Sequence, residues 1–404
     1  MTMEALPLQE RIELARSLVN SLYDDFDDTV NAVVADGWPE PMVRAGFAMH
    51  RRTWDVDVLV DALDRELSGF GGIDALDAFS SRGAGSNMGT RIIRPARIVH
   101  IWPALPGAGL TPVLFGMLLG SRQVVRPSSR GEYFADLLHR KWMALDPERV
   151  CLAVELGSPN QSWRTADAVV ISGADDTIDA VRDFIGQGNH RARPTVLGYG
   201  HRVSFSVIVD DSSQATMEQA RATAMDIVMW HQKGCFSSRA VIFCGSKERM
   251  IEFSERLGAA IDLCERDLGA TTLPPGELAR RAQARGLAEF TGGLTGGGIG
   301  WVQRTTSPWR GEPTSAHTVT LHHVSNVSQL RHVIEVPARH IQGAALYAPA
   351  GPIRRSWCEA IASLGATRIC APGMLQSPPG DWSHDGWPNV LDFVRVCRVD
   401  SDYA

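Results

Sequence analysis

Residues 96–129, ARIVHIWPALPGAGLTPVLFGMLLGSRQVVRPSS, decide the fold. Ala96 to Trp102 is a short strand-like run. Pro103 to Gly109 supplies a turn, and Thr111 to Leu119 is an apolar helical stretch. Gln123 to Val125 is a second β-rich run ending in Arg126-Pro127-Ser128-Ser129. Strand, helix, strand over so few residues predicts a parallel βαβ unit. The pattern continues with a helix over 131–144, a strand over 150–155, a buried strand from Asp167 to Gly173 and a helix over 175–186. Repeated units of this kind build a doubly wound sheet whose strand ends receive nucleotides. A cofactor domain over roughly the first half is the expectation.

Working outward, residues 7–67 carry apolar positions at helical spacing (Ile12, Ala15, Leu18, Leu22, then Leu59, Leu63, Leu67), which predicts an N-terminal helical cover. Ser80 to Gly89 is a Gly/Ser-rich loop. Val203 to Val209 is a strand, Asp210 to Ser213 offer N-cap residues, and the helix that follows is expected to run to about Gln232, with Gly234 ending it. The later elements are mixed. Gly292 to Gly300 reads as a loop, and it is no P-loop because no Gly-Lys-Ser/Thr follows.

With 404 residues the chain exceeds one ordinary core, so two domains are expected. The 44% hydrophobic and 21% charged composition excludes a largely disordered chain. A net charge of −6 gives no general attraction to nucleic acid or anionic membrane. The start, MTMEALPLQERIELARSL, is acidic and amphipathic, and no apolar stretch reaches membrane-spanning length, so the expected compartment is the cytoplasm. Seven scattered cysteines with no C-x-x-C pair argue against a disulfide framework or a zinc site. His317 and the pair His322-His323 have no carboxylate at a useful spacing, and no metal is expected. Trp301, Trp309 and Trp357 read as core or as the walls of a pocket.

His231-Gln232-Lys233-Gly234-Cys235-Phe236-Ser237-Ser238-Arg239 is the segment richest in chemistry. A cysteine between a helix and the strand Ala240 to Cys244 lies on a turn, and His231, Lys233 and Arg239 can supply the positive potential that favours a thiolate. Local chemistry allows either a nucleophile or a small buried hydrophobe. Cys151 and Cys244 lie in strand-like runs and read as core.

Gln-x-Gly-Cys-x-Ser on such a turn resembles the nucleophile segment of the aldehyde-dehydrogenase superfamily, and most closely its bioluminescence-type fatty acyl-CoA reductase branch. Further segments match in order. Val99-His100-Ile101 with Pro103 to Pro106 resembles the strand and tight turn of the cofactor domain. Val124-Val125-Arg126-Pro127-Ser128 resembles the ribose-holding Lys-Pro-Ser strand end, and Val169 to Gly173 the glycine turn near the cofactor phosphates. Gly200 to Ser204 resembles the segment before the nucleophile helix, and His384-Asp385-Gly386 with Asn389-Val390-Leu391 the terminal signature of the branch.

The resemblance implies a doubly wound Rossmann-type nicotinamide domain with the N-terminal helices over 1–209, and an α/β catalytic thiol domain over 210–404. It implies reduction of an acyl thioester, carried by coenzyme A or by an acyl carrier protein, to an aldehyde through an acyl-Cys235 intermediate. Arg126, Pro127, Ser128, Ser172 and Gly173 would bind the cofactor. His384 would be either an acid/base group or a structural histidine. Arg126 in place of lysine tolerates a 2′-phosphate, which favours NADPH mildly over NADH.

Two departures bear on mechanism. Oxidising relatives carry a water-activating glutamate where this chain has Thr195-Val196-Leu197-Gly198-Tyr199-Gly200, and Ala104 stands where the family's turn usually has an oxyanion asparagine. Backbone amides around Cys235 are the expected replacement donors. The alternatives are a CoA-acylating aldehyde dehydrogenase running oxidatively, and a binding subunit that kept the fold and lost the chemistry. Homo-oligomers are common in the superfamily, though nothing in the sequence identifies an interface.

Overall fold

The computed structural model describes residues 6–81, 89–147, 152–154, 163, 165–186, 194–269, 275–291, 293–298, 300–312 and 316–399. Most of the Gly/Ser-rich loop and Cys151 lie outside them. Two compact units emerge: Met1–Trp38, His50–His201 and Pro379–Ala404 form the first, and Pro39–Met49 and Arg202–Pro378 the second.

The N-terminal cover is built from α1 (Leu8–Asp24), α2 (Phe26–Ala35), α3 (Glu40–His50) and α4 (Val56–Leu67). α1 buries Ile12, Ala15, Leu18, Val19 and Leu22, positions three and four apart that share one helix face. α4 begins at Asp55, whose carboxylate accepts the amides of Asp57 and Val58 and so satisfies donors with no intrahelical partner.

The first unit holds a parallel sheet of β2 (Arg97–Ile101), β3 (Arg122–Arg126), β4 (Leu152–Val154), β5 (Ala168–Ser172) and β6 (Thr195–Tyr199), in the spatial order β4-β3-β2-β5-β6. The chain therefore walks outward from β2 to one edge, returns, and builds β5 and β6 on the other side. The order reverses between β2 and β5, the switch point at which such sheets open a crevice beyond their carboxyl ends. Helices α5 (Leu110–Leu119), α6 (Glu132–Leu145) and α7 (Asp175–Gly186) lie between the strands in sequence. A two-stranded antiparallel ribbon pairs β1 (Thr90–Ile93) with a C-terminal strand (Arg395–Arg398). That ribbon draws the last residues into the first unit.

The second unit is a seven-stranded sheet that includes β7 (Val203–Val209) and β8 (Ser238–Cys244). The strand expected to close a first domain at residue 209 pairs instead with β8, which places it in the second unit. β7 is buried at every position, as a strand covered on both faces must be. Its core takes in Phe205, Val207, Trp309, Ile341 and Trp357. The helix after β7, α8 (Gln214–Val228), is N-capped by Ser213 and stops four residues short of the expected Gln232. Gly234 does not end it, because the chain leaves the helix through a left-handed run at Trp230, His231 and Gln232. The glycine cluster expected as a loop contains a short strand, Leu294–Thr295, antiparallel to Trp301–Thr305.

No helix among the described residues is long and apolar enough to cross a membrane. The six described cysteines are free thiols.

Candidate functional site

Cys235 sits half-buried in a reverse turn closed by a 3.0 Å hydrogen bond from the Ser237 amide to the Gly234 carbonyl. What fixes this turn is the segment before it. Trp230, His231 and Gln232 hold φ of 55°, 53° and 59°. Left-handed backbone costs a non-glycine residue about 1–2 kcal/mol and persists only where the surroundings over-determine it.

Each of the three side chains is anchored differently. Trp230 is 1% exposed and packs so closely on Gly46 of α3 that a Cβ there would lie 2.0 Å from its ring. Gln232 donates to the carbonyls of Ser238 (2.9 Å) and Thr318 (2.8 Å) and accepts the Thr318 amide at 3.2 Å. His231 Nδ1 faces His317 Nε2 at 3.4 Å. The turn itself is tied down by Ser204 Oγ, which donates to the Cys235 carbonyl at 2.8 Å.

Residues after Cys235 are held by a second segment. The Phe236 ring lies under the Arg368 guanidinium, 5.1 Å away, and Ser237 Oγ accepts from Gln376 Nε2 at 3.1 Å. Arg368 also donates to the carbonyls of Met374, Leu375 and Ser377. Asp226 of α8, fully buried, accepts the amides of Gly373 (2.6 Å) and Leu375 (2.9 Å). Burial pushes its carboxyl up to about 7 in spite of those bonds and of Arg368.

Of the three cations expected near the thiol, Arg239 lies in electrostatic reach: burial holds its guanidinium below the ordinary arginine range, and the negative charge of a Cys235 thiolate acts to raise it. Its Nε is buried without a hydrogen bond. Lys233 is exposed, and His231 is buried. Cys244 is half-buried against the core, and burial raises its thiol, as expected of an inert cysteine.

The first unit carries the remaining expected residues. Arg126 closes β3, and its carbonyl accepts the Trp102 amide at 2.9 Å. Ser128 follows, with Oγ buried and without a hydrogen-bond partner. Ser172 closes β5, and the Gly173 amide donates to the Tyr199 carbonyl at 3.1 Å. Arg126, Pro127 and Ser128 thus lie at the carboxyl end of β3, and Ser172 and Gly173 at that of β5, the strands that flank β2 around the switch point. Ala104 lies exposed in the turn after β2.

His384 stacks face to face on Tyr199, with centroids 3.7 Å apart and planes 5° from parallel, and lies 4.9 Å from Trp382. Its Nε2 is 3.7 Å from Asp385 Oδ1. Glu66 holds the same terminal motif by accepting the amides of Asn389 (2.7 Å) and Val390 (2.9 Å). Burial, then Asp385, Glu66 and Asp392, raises the Tyr199 phenol above its usual range. The terminal motif is thereby joined to β6 through Tyr199.

Sequence reasoning missed a carboxylate. Glu265, from the helix α9 (Lys247–Leu268), meets His317 Nδ1 at 2.5 Å. The signal was present, since Glu265 falls on the stripe Leu257, Ile261, Cys264 and Leu268 that α9 buries. No group of three or more His, Cys, Asp or Glu suited to a metal occurs among the described residues.

A family model described as acyl-CoA reductase (LuxC) matches residues 3–396. A long-chain acyl-protein thioester reductase of Vibrio harveyi is 24% identical over 331 residues, covering 78% of this chain and 66% of that protein, so the match spans just under two thirds of the relative's length. An NAD-dependent benzaldehyde dehydrogenase from Corynebacterium glutamicum superposes with TM-score 0.68 at 13% identity, covering 98% of this chain and 85% of the other. Succinic semialdehyde dehydrogenase from Streptococcus pyogenes, solved with NADP+, does so at 0.69 and 12%, covering 97% and 90%. The fold is that of the aldehyde dehydrogenases, and the branch is the one to which the ordered motifs pointed. With its model matched over nearly the whole chain, this protein belongs to the acyl-CoA reductase (LuxC) family.

Proposed function

We propose that the protein reduces an acyl thioester of coenzyme A or an acyl carrier protein to an aldehyde, with Cys235 as covalent nucleophile. One observation carries the reading: Cys235 sits half-buried on a strained turn anchored by three consecutive side chains, within electrostatic reach of Arg239. A site that spends strain to aim a thiol fits nucleophilic catalysis.

In this reading the Cys235 thiolate forms a bond to the thioester carbonyl carbon. The bond from that carbon to the carrier sulfur breaks, and the carrier leaves as a thiol once protonated. A nicotinamide nucleotide, held by Arg126, Pro127, Ser128, Ser172 and Gly173, would supply hydride chemistry at the acyl-cysteine carbonyl, which would become a thiohemiacetal. Collapse of the thiohemiacetal breaks the carbon–Sγ bond, releases the aldehyde and restores the thiolate. No hydrolytic base is required, which accords with the Thr195–Gly200 stretch having no carboxylate.

Arg126, Pro127, Ser128, Ser172 and Gly173 are assigned to the nucleotide. The buried, unpartnered Ser128 hydroxyl at a strand end fits a ribose hydroxyl, and Arg126 accommodates NADPH with NADH as the other candidate. The NAD-dependent and NADP+-bound structural neighbours support a nicotinamide cofactor and leave its phosphate open. His384 is assigned an acid/base part, on the ground that its ring is held rigidly against Tyr199.

Intact-mass measurement after exposure to short and long acyl-CoA esters and acyl carrier protein thioesters tests the proposal. The expected result is an adduct that maps to Cys235, is discharged by NADPH and is absent in Cys235→Ala. Aldehyde formation by Cys235→Ala would refute it.

A further inference from the structure

Glu265, His317 and His231 are 6%, 1% and 7% exposed, so three titratable groups lie buried in one row. Burying such groups is costly unless they pair. Neutral anchors already hold Trp230 and Gln232 on either side of His231, so fixing the backbone does not require the charge.

The hydrogen bonds determine where protons reside. The Glu265 carboxylate, in hydrogen-bond contact with His317 Nδ1, accepts a proton held there. The other nitrogen of His317 then accepts from His231 Nδ1 when both rings are neutral. When the row gains a proton, His317 Nε2 donates instead, and the His231 proton resides on Nε2. The two rings lie 5.5 Å apart and 29° from parallel, with the Glu265 carboxylate at the far end of the row.

We infer that Glu265, His317 and His231 form a buried charge relay whose last member, His231, lies on the nucleophile segment, making Glu265 and His317 positioning residues for the Cys235 thiolate. This rests on the reading of Cys235 as nucleophile.

Other charged and titratable groups surround the row. Asp262 accepts the Gly298 amide at 3.0 Å, and Arg285 Nη1 approaches the Gly298 carbonyl at 3.4 Å. Arg281 and Arg285 lie over the Trp301 ring. Cys264, beside Glu265, is pushed up to about 11 by burial. On the turn itself, Arg239 and Lys233 are the remaining cations. None of these changes in Glu265→Gln, which keeps an acceptor for His317 and removes only the charge.

The test is the rate of Cys235 alkylation by iodoacetamide against pH, in wild type, Glu265→Gln and Glu265→Asp. Loss of the counter-ion should raise the alkylation midpoint by about one pH unit and slow alkylation at neutral pH by about tenfold, with partial recovery in Glu265→Asp. A folded Glu265→Gln whose profile superimposes on wild type overturns the relay. Should that variant not fold, histidine 15N resonances of the wild type decide: protonated Nδ1 on His317 and joint titration with His231 support the relay, and independent titration overturns it. Acyl-adduct formation on wild type judges the nucleophile separately, because alkylation needs neither thioester nor cofactor.

Discussion

Replacing Gln232 with methionine keeps length and flexibility while removing three hydrogen bonds, to the Ser238 carbonyl and to both the carbonyl and amide of Thr318. Thr318 and Ser238 begin the parallel neighbours β8 and Thr318–Val324, ahead of the first pair of their ladder, Thr320 and Ala240. The Gln232 amide therefore continues the sheet where the ladder has not yet started. A buried backbone group left without its partner costs about 1–3 kcal/mol, and carbonyls with a second partner lose less, so Gln232→Met should cost roughly 3–5 kcal/mol. That is a large share of ordinary stability. Urea unfolding followed by tryptophan fluorescence reads it as a fall in midpoint at unchanged slope. Relaxation of the left-handed run should also slow Cys235 alkylation. Gln232→Gly, free of the left-handed penalty, should recover only about 1 kcal/mol relative to methionine. An unfolding free energy within about 0.5 kcal/mol of wild type, the usual scatter of surface substitutions, would show that the turn is not held by this amide.

Asp226 is the next test. Its carboxyl, raised to about 7, binds a proton more tightly in the folded than in the unfolded chain, so its stabilising contribution is complete below about pH 4 and disappears as pH rises through about 7. Wild type should lose up to about 1.4 kcal/mol per pH unit in that window, while Asp226→Asn should show a flatter profile, read as urea midpoints at pH 5 and 7.5. Ser128→Ala should leave stability within about 0.5 kcal/mol of wild type and weaken nicotinamide nucleotide binding about five- to tenfold in calorimetry; equal affinity would remove Ser128 from the cofactor site. Glu66→Gln replaces one of the two acceptors of the Asn389 and Val390 amides and should cost about 1–3 kcal/mol in thermal unfolding, with disturbance of the His384 resonances.

The first sheet was legible because apolar runs of strand length alternate with helices between Ala96 and Gly186, and short connections leave few topologies. The Cys235 turn was legible as a position and not as a geometry. Trp230, His231 and Gln232 are ordinary helix residues by local preference, and the helix was extended through them. What overrides preference is distant: Gly46, Thr318 and His317 lie far along the chain, and no local pattern records them. The strand Val203–Val209 was read correctly as a strand and placed in the wrong company, since its partners, β8 and Ile341–Tyr347, come later in sequence. Glu265 and Asp226 show what a local reading could have caught. Each is a carboxylate on the buried stripe of an amphipathic helix, and such a residue needs a partner from elsewhere.

The supports of Cys235 also constrain when the site can form. Within the second unit, the turn depends on Gly46 in the N-terminal cover, on the strand that begins at Thr318, and on the Arg368–Ser377 segment, which Asp226 ties back to α8. Contacts of such sequence separation form only after long loops have closed. The left-handed run cannot precede its own anchors at Gly46, His317 and Thr318, because without them its strain of about 1–2 kcal/mol per residue has nothing to offset it. Partial folding therefore leaves α8 free to run on through Gln232, with Cys235 unaimed and the Arg239 charge unplaced. Building the turn from remote anchors thus confines the placement of the Cys235 thiol beside Arg239 to the finished fold.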